Sequence, residues 1–257
     1  MLFNVLVLFL TPLLAGLLIY VTPASRGSNY KLLLVFAGSY LFAITVIHIL
    51  PELYGFYQEV ELIGLFVLMG FFLQQLLEYF TSGIEHGHMP GVHSHDHPHD
   101  HHHHSHMQKE ISALFLLAAL CLHAFLEGGM VNRPISSGLD YDVNAVLLGI
   151  VLHRAPAAFA LMAVLSSQLH TKKRAIPYLV VFSLAAPLGL FISAYFIEVN
   201  ILSETGLIFL YALVSGNFLH ISTTIVYESS PEHHFNAKKL AVAITGALVA
   251  VGVEYII

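Results

Sequence analysis

Eight apolar stretches, each about as long as a lipid bilayer is thick, divide this chain of 257 residues. They cover roughly residues 2–21, 31–53, 61–82, 111–131, 143–168, 176–197, 204–226 and 238–256. A helix needs about 20 apolar residues to cross the hydrocarbon core. Only 10% of the residues are charged, whereas soluble domains carry about a quarter. The sequence therefore predicts an all-α fold, a polytopic membrane helix bundle with eight transmembrane helices in a single membrane domain, 1–257.

The distribution of basic residues between the loops predicts that both termini lie outside. With that orientation the outer loops contain Arg133 alone, and the inner loops contain Arg26, Lys31, Lys109, Lys172, Lys173, Arg174, Lys238 and Lys239. The first stretch lacks a cleavage pattern, so we expect a retained helix. Short loops favour a bacterial inner (plasma) membrane. The expected partners include the lipid bilayer but no nucleic acid, and a homodimer is left open.

A histidine-rich segment joins the third and fourth stretches. Residues 83–110 contain 11 of the 18 histidines, interleaved with Asp, Ser and Pro. Such a composition predicts a disordered cytoplasmic loop, and neutral imidazoles bind transition metals without a fixed geometry. The loop is expected to buffer or sense metal, and an inert solvated loop is the alternative. The candidate ligands are His93, His95, His97, His99, His101, His102, His103, His104 and His106.

Two polar clusters interrupt the fourth and fifth apolar stretches. His123 and Glu127 are four residues apart, a spacing that places both on one face of a helix. From the helical rise, His123 lies about 18 Å from the inner end of its span and His153 about 15 Å from the outer end of the next, so both fall near the midplane. Three converging donors with an open fourth position suit an ion that must bind and leave. The alternative is a hydrogen-bonded trio that links two helices.

These features resemble the ZIP (Zrt/Irt-like) divalent-metal transporters. The run His123-Ala-Phe-Leu-Glu127-Gly128 is similar to the family motif His-x-x-x-acid-Gly, and His153-Arg-Ala-Pro156 is similar to the first half of His-x-x-Pro-Glu-Gly. The resemblance implies an eight-helix bundle with the transport path between helices. It also implies movement of Zn²⁺ into the cytosol, with Fe²⁺, Mn²⁺ or Cd²⁺ as other candidate ions.

The chain departs from the family pattern at four positions. Ala157 stands where the family usually has a glutamate ligand, Ala158 replaces the glycine that follows it, and Ala124 stands where some relatives have an asparagine that helps a second metal. Arg154 follows the first ligand of the fifth span, where two-metal relatives often have an acid. Because a cation there would repel a second ion, we expect a single-ion site in which Arg154 takes the place of the second ion and pairs with Glu127. Alternatively, Arg154 pairs elsewhere or snorkels.

Three further polar residues are candidates for accessory positions along the path. His48 and Glu52 share one face near the outer end of the second span, where they form either an uptake site or an interfacial pair beside Pro51. His220 lies in the inner half of the seventh span. It is either an exit ligand or a helix–helix hydrogen bond.

Three functions compete for these residues. The first is import of a divalent transition metal, and the second is a membrane metal sensor that binds without transport. The third is an intramembrane zinc hydrolase, which needs a general base besides its metal ligands. Glu127 is already required as a ligand, and the chain has no His-Glu-x-x-His motif. We therefore expect a transporter that is not an enzyme.

Overall fold

Helices account for the regular structure of the parts of the chain described by the computed structural model, residues 1–21, 27–81, 106–132, 142–169, 171–228 and 237–256. Their bounds are α1 (Leu2–Leu17) with a 3₁₀ turn (Leu18–Tyr20), α2 (Gly27–Ile44) with a π-helical turn (Thr45–Ile49), α3 (Leu50–Phe56), α4 (Val60–Thr81), α5 (His106–Met130), α6 (Val143–Gln168), α7 (Lys172–Glu198), α8 (Glu204–Glu228) and α9 (Ala237–Ile256). Because α2, the π-helical turn and α3 are continuous, these elements make eight long helices.

The eight helices confirm the predicted all-α polytopic bundle. Six of them are long and apolar enough to cross a membrane, and α5 adds a shorter apolar segment, Leu114–Met130, within the described residues. Large apolar side chains such as Leu14, Leu68, Phe72 and Leu188 are exposed on the bundle surface. Exposure of this kind suits a protein whose outer surface meets lipid rather than water.

Helix α5 begins at His106, before the apolar stretch that starts near residue 111. Hydropathy detects the membrane-crossing part of a helix, whereas Met, Gln, Lys and Glu at 107–110 are good helix formers and extend the helix beyond it. The last residues of the predicted loop 83–110 are therefore helical. His93 to His104 lie outside the described residues. The disorder of that segment therefore stays a prediction.

The helices pack most extensively as four pairs: α4 with α8, α5 with α7, α2 with α9, and α1 with α6. Helix α6 also contacts α2, α5, α7 and α9, so it lies near the centre of the bundle. Its buried residues are distributed around its circumference. A helix that is apolar all round is expected when it is enclosed by protein on every side.

Glycines bring the backbones of α5 and α7 into direct contact. A Cβ atom on Gly128 of α5 would overlap the carbonyl oxygen of Ala186, and a Cβ on Gly189 of α7 would overlap the carbonyl oxygen of Phe125. Small residues allow this close approach because membrane helices associate mainly by van der Waals packing. The contact fixes the position of α5 at the level of Glu127.

The same arrangement joins α4 to α8. Cβ atoms on Gly70 and Gly216 would overlap the carbonyl oxygens of Leu213 and Val67, respectively. Gly64, by contrast, has open space, with only the Tyr54 hydroxyl within 4 Å of a Cβ placed there. Close contact therefore requires Gly70 and Gly216, but not every glycine of these helices.

Replacing Gly189 with Ala should lower the thermal unfolding temperature of the detergent-solubilised protein. We expect a loss of about 1–3 kcal/mol, because the added methyl group forces α5 and α7 apart. Gly252→Ala in α9 is the matched control, since a Cβ there meets nothing within 4 Å. Alanine has the better helix propensity, by about 1 kcal/mol, so the control should be neutral or stabilising. Equal melting temperatures for the two variants would show that the contact between α5 and α7 is not close.

Candidate metal centre

Three side chains from α5 and α6 converge on one point inside the bundle. Glu127 Oε1 lies 2.8 Å from Nε2 of His123 and 2.7 Å from Nε2 of His153. One ligand atom from each residue falls within 4.8 Å of the other two. His123 and Glu127 are neighbours because they are one helical turn apart on α5, whereas His153 is brought in from α6. We call His123, Glu127 and His153 the His/Glu trio.

A backbone carbonyl orients the ring of His153. Its Nδ1 lies 3.1 Å from the carbonyl oxygen of Gly149, one turn earlier on α6. A carbonyl only accepts, so Nδ1 is the donor and Nε2 of the neutral ring presents a lone pair towards Glu127. Two lone pairs separated by 2.7 Å repel unless a cation lies between them. The local geometry therefore favours a proton or a metal ion at this point.

The His/Glu trio is enclosed by protein. Glu127 is 0% exposed, and His123 and His153 are 4% and 5% exposed. A carboxylate removed from water is strongly destabilised unless a positive charge accompanies it. The rings of Phe218 on α8 and His153 form a T-shaped contact, with the ring centroids 6.3 Å apart. Because the His/Glu trio is removed from water, its electrostatic attraction for a cation is screened less than it would be in water.

Arg154 lies on the other side of the Glu127 carboxylate. Its Nε is 3.8 Å from Glu127 Oε2, and the residue is only 2% exposed. The guanidinium also donates to the carbonyl oxygen of Phe182 at 3.2 Å and lies over the Phe182 ring, 4.9 Å from its centroid. Arg154 therefore faces the protein interior and does not extend to the membrane surface.

Small apolar side chains occupy three positions where the chain departs from the family pattern: Ala124 for an asparagine, Ala157 for a glutamate and Ala158 for a glycine. Ala124 and Ala158 are 0% exposed, and Ala157 is also buried. None of the three offers an oxygen or nitrogen from its side chain. Among the described residues, the only group of three or more His, Cys, Asp and Glu side chains close enough to share an ion is the His/Glu trio. No fourth His, Cys, Asp or Glu of the described residues joins the trio, so an ion held there would keep a coordination position for water or another ligand.

The accessory candidates lie elsewhere in the bundle. His48 belongs to the π-helical turn Thr45–Ile49, and Glu52 follows in α3; both are half-buried. π-Helical turns are often found at functional sites. His220 of α8 lies 3.4 Å from Glu78 of α4, between Nδ1 and Oε2. Neither His220 nor the pair of His48 and Glu52 joins the His/Glu trio.

Of the nine candidate histidines in the loop, one lies within the described residues: His106, the first residue of α5. The other eight lie outside them: His93, His95, His97, His99, His101, His102, His103 and His104.

Some parts of the site carry no signal in the sequence alone. The Gly149 carbonyl that orients His153 is a backbone group, and the Phe182 contact with Arg154 depends on how α7 lies in space. Asn217 on α8, outside the His/Glu trio, could have been singled out from the sequence. It is a fully buried amide in an apolar span, and a polar residue in such a span often marks a functional position.

An ion with bonds of about 2.0–2.2 Å would hold tetrahedral ligands about 3.4 Å apart. The contacts of 2.7 and 2.8 Å in the His/Glu trio are shorter. The side chains would therefore have to separate by about 0.6 Å to admit Zn²⁺, a movement that rotation about their χ angles can supply. Two imidazoles and one carboxylate are a donor set that suits Zn²⁺ and similar ions.

Comparison with known proteins agrees with this chemistry. A family model described as ZIP zinc transporter matches residues 88–254, a segment that contains the whole His/Glu trio. A search of curated proteins finds no match. The family match extends over more than half of the chain and includes all helices from α5 to α8. This membrane protein therefore belongs to the ZIP zinc transporter family, whose members transport divalent metal ions.

Proposed function

We propose that this protein imports a divalent transition-metal ion, with Zn²⁺ as the first candidate, into the cytosol through the His/Glu trio. The observation that carries the proposal is the position of Glu127 Oε1 between two imidazole nitrogens at 2.7 and 2.8 Å. The ion would be held by His123, Glu127 and His153, with the fourth position left for water or for the ligand that passes the ion on. Three protein ligands allow release, whereas a closed four-ligand cage is typical of permanent structural zinc.

The donor set explains which ions would pass. Neutral imidazoles favour Zn²⁺ and also accept Fe²⁺, Mn²⁺ and Cd²⁺. Mg²⁺ and Ca²⁺ require six or more oxygen ligands or retained water, which one carboxylate in an apolar pocket does not provide. Selectivity against the abundant hard cations therefore follows from two histidines and a single carboxylate.

We assign the Arg154 guanidinium to the position that a second metal ion would take in two-metal relatives. Its guanidinium compensates the charge of Glu127 through Oε2, while Oε1 remains directed towards the histidines. A second divalent ion near a fixed guanidinium would face strong repulsion, so the site holds one ion at a time. The hydrogen bond to Phe182 keeps the guanidinium in this place.

The membrane sensor is the alternative function. The same three ligands bind metal in both cases, and the missing carboxylate at Ala157 weakens the case for transport. A hydrolase is disfavoured because Glu127, the only carboxylate in the His/Glu trio, would have to be both ligand and general base. Import also requires the orientation with both termini outside, which the loop charges predict.

Zn²⁺ uptake into proteoliposomes containing a zinc-sensitive dye tests the transport proposal. His123→Ala and Glu127→Ala should each abolish uptake. Loss of a residue that only orients a metal ligand weakens metal binding about 10–100-fold. Loss of His123 or Glu127, which would bind the ion directly, should therefore weaken Zn²⁺ binding by a larger factor. Leu122→Ala is the matched control on α5, since Leu122 is 43% exposed and faces away from the His/Glu trio. Binding through these residues without uptake by the wild type would instead identify a sensor.

Arg154→Ala tests the single-ion arrangement. Without the guanidinium, Glu127 keeps an uncompensated charge, so we expect Zn²⁺ to bind at least about tenfold more tightly and to be transported more slowly. Arg154→Lys retains the charge and should stay closer to the wild type in both measurements. Unchanged affinity and uptake in Arg154→Ala would refute the assignment of Arg154 to the second ion's place.

Cysteine labelling tests the orientation. Glu59 and Lys173 are both exposed and lie at opposite ends of the bundle by the loop-charge prediction. In a Cys121→Ser background, a membrane-impermeant maleimide should label Glu59→Cys in intact cells. It should label Lys173→Cys only after permeabilisation. The reverse pattern would place the termini inside and change import into export.

A further inference from the structure

A second contact between a histidine and a carboxylate lies between α4 and α8, with the histidine buried and the carboxylate partly buried. Nδ1 of His220 is 3.4 Å from Oε2 of Glu78, and the two side chains are 6% and 16% exposed. The rings of Phe71 and His220 form a T-shaped contact, with centroids 4.8 Å apart. We call His220 and Glu78 the α4–α8 pair.

The separation in the α4–α8 pair fits a shared metal ion better than a direct hydrogen bond. Charge-assisted N–H···O bonds are usually about 2.7–2.9 Å long. Two ligands on one tetrahedral zinc ion, each about 2.0–2.2 Å from the metal, are about 3.4 Å apart. The spacing of 3.4 Å between Nδ1 and Oε2 is therefore already that of two ligands of one ion.

Amide groups one turn away on each helix extend this polar surface. Gln74 precedes Glu78 by four residues on α4, and Asn217 precedes His220 by three on α8, so each amide shares a face with its neighbour. Both amides are 0% exposed. The oxygen and nitrogen of the Asn217 side chain have no hydrogen-bond partner within the described ranges. A buried amide without a partner is costly, which favours a ligand such as an ion or its water.

The α4–α8 pair lies near the end of α4 from which the chain continues into residues 82–105. Phe218, whose ring faces His153, is two residues and about 3 Å of helix rise before His220. Glu78 is three residues before the end of α4 at Thr81, where the chain enters residues 82–105. An ion that leaves the His/Glu trio towards this end of the bundle would next meet the α4–α8 pair.

We propose that His220 and Glu78 form a second, weaker binding station for the same divalent transition metal, between the His/Glu trio and the end of the bundle that carries the histidine-rich segment. The assignment rests on the proposed function for the direction of ion movement. Its ligands are one imidazole and one carboxylate, with water or the amide oxygens of Asn217 and Gln74 completing the shell. An imidazole and a carboxylate alone hold an ion less tightly than the three ligands of the His/Glu trio. Such weaker binding is needed if the ion is to move on.

Direct binding tests the station without relying on transport. The full chain is prepared with Glu127→Ala, and serine replaces every histidine except His220, so that competing histidine sites are removed. Equilibrium dialysis against Zn²⁺ should then show one remaining ion per chain. Adding His220→Gln should remove that ion while leaving the unfolding temperature unchanged, because a glutamine amide is polar, is of similar size and can donate a hydrogen bond to Glu78. No residual ion, or an ion retained in His220→Gln, would overturn the proposal.

Metal preference during uptake separates a ligand from a helix–helix contact. In otherwise wild-type proteoliposomes, His220→Cys should raise the ratio of Cd²⁺ to Zn²⁺ uptake several-fold, because thiolate favours the softer ion. An unchanged ratio would mean that residue 220 does not contact the moving ion and would overturn its role as a station. If the wild type takes up no metal while the dialysis result holds, the transport proposal fails and the second binding site stands.

Discussion

The positions of the central helices depend on the contact of one carboxylate, that of Glu127, with the imidazoles of His123 and His153. Glu127 is completely buried, and a buried carboxylate is tolerated only with positive charge beside it. His123, His153 and Arg154 surround it, the histidines at Oε1 and the arginine at Oε2. The two oxygens therefore have separate roles. In the proposed function Oε1 would bind the transported ion, whereas Oε2 faces the guanidinium of Arg154.

Helix packing supplies the positions that this contact needs. Glycines bring α5 and α7 close enough for backbone contact next to Glu127, and α7 also provides the Phe182 carbonyl that holds Arg154. The Gly149 carbonyl sets the ring orientation of His153 from within α6. Backbone carbonyl groups thus hold the side chains of His153 and Arg154 in position. Such an arrangement suits a membrane interior, where each additional polar side chain has to be satisfied.

Much of this architecture could be predicted from the sequence. Apolar stretches of bilayer length predicted the helical bundle, and the four-residue spacing with the helical rise predicted that His123, Glu127 and His153 could meet. The start of α5 at His106 was missed because hydropathy does not register a polar helical extension. The pairing of Arg154 with Glu127 was expected from the sequence, and the two groups are 3.8 Å apart. The contacts of Arg154 with Phe182 and of His220 with Glu78 could not be predicted, since they join helices whose packing a single sequence does not reveal. That the His/Glu trio binds metal remains a prediction.

X-ray absorption at the zinc edge tests the central claim most directly. The protein should be loaded with one Zn²⁺ per chain after serine replaces the histidines of residues 83–110, His233 and His234, with His220→Gln removing the second station. We expect the spectrum to show zinc coordinated by two imidazole nitrogens and by carboxylate or water oxygens at about 2.0–2.2 Å. In His123→Ala one of the two imidazoles should be lost. A spectrum without imidazole scattering, or one unchanged by His123→Ala, would contradict the assignment of the ion to the His/Glu trio.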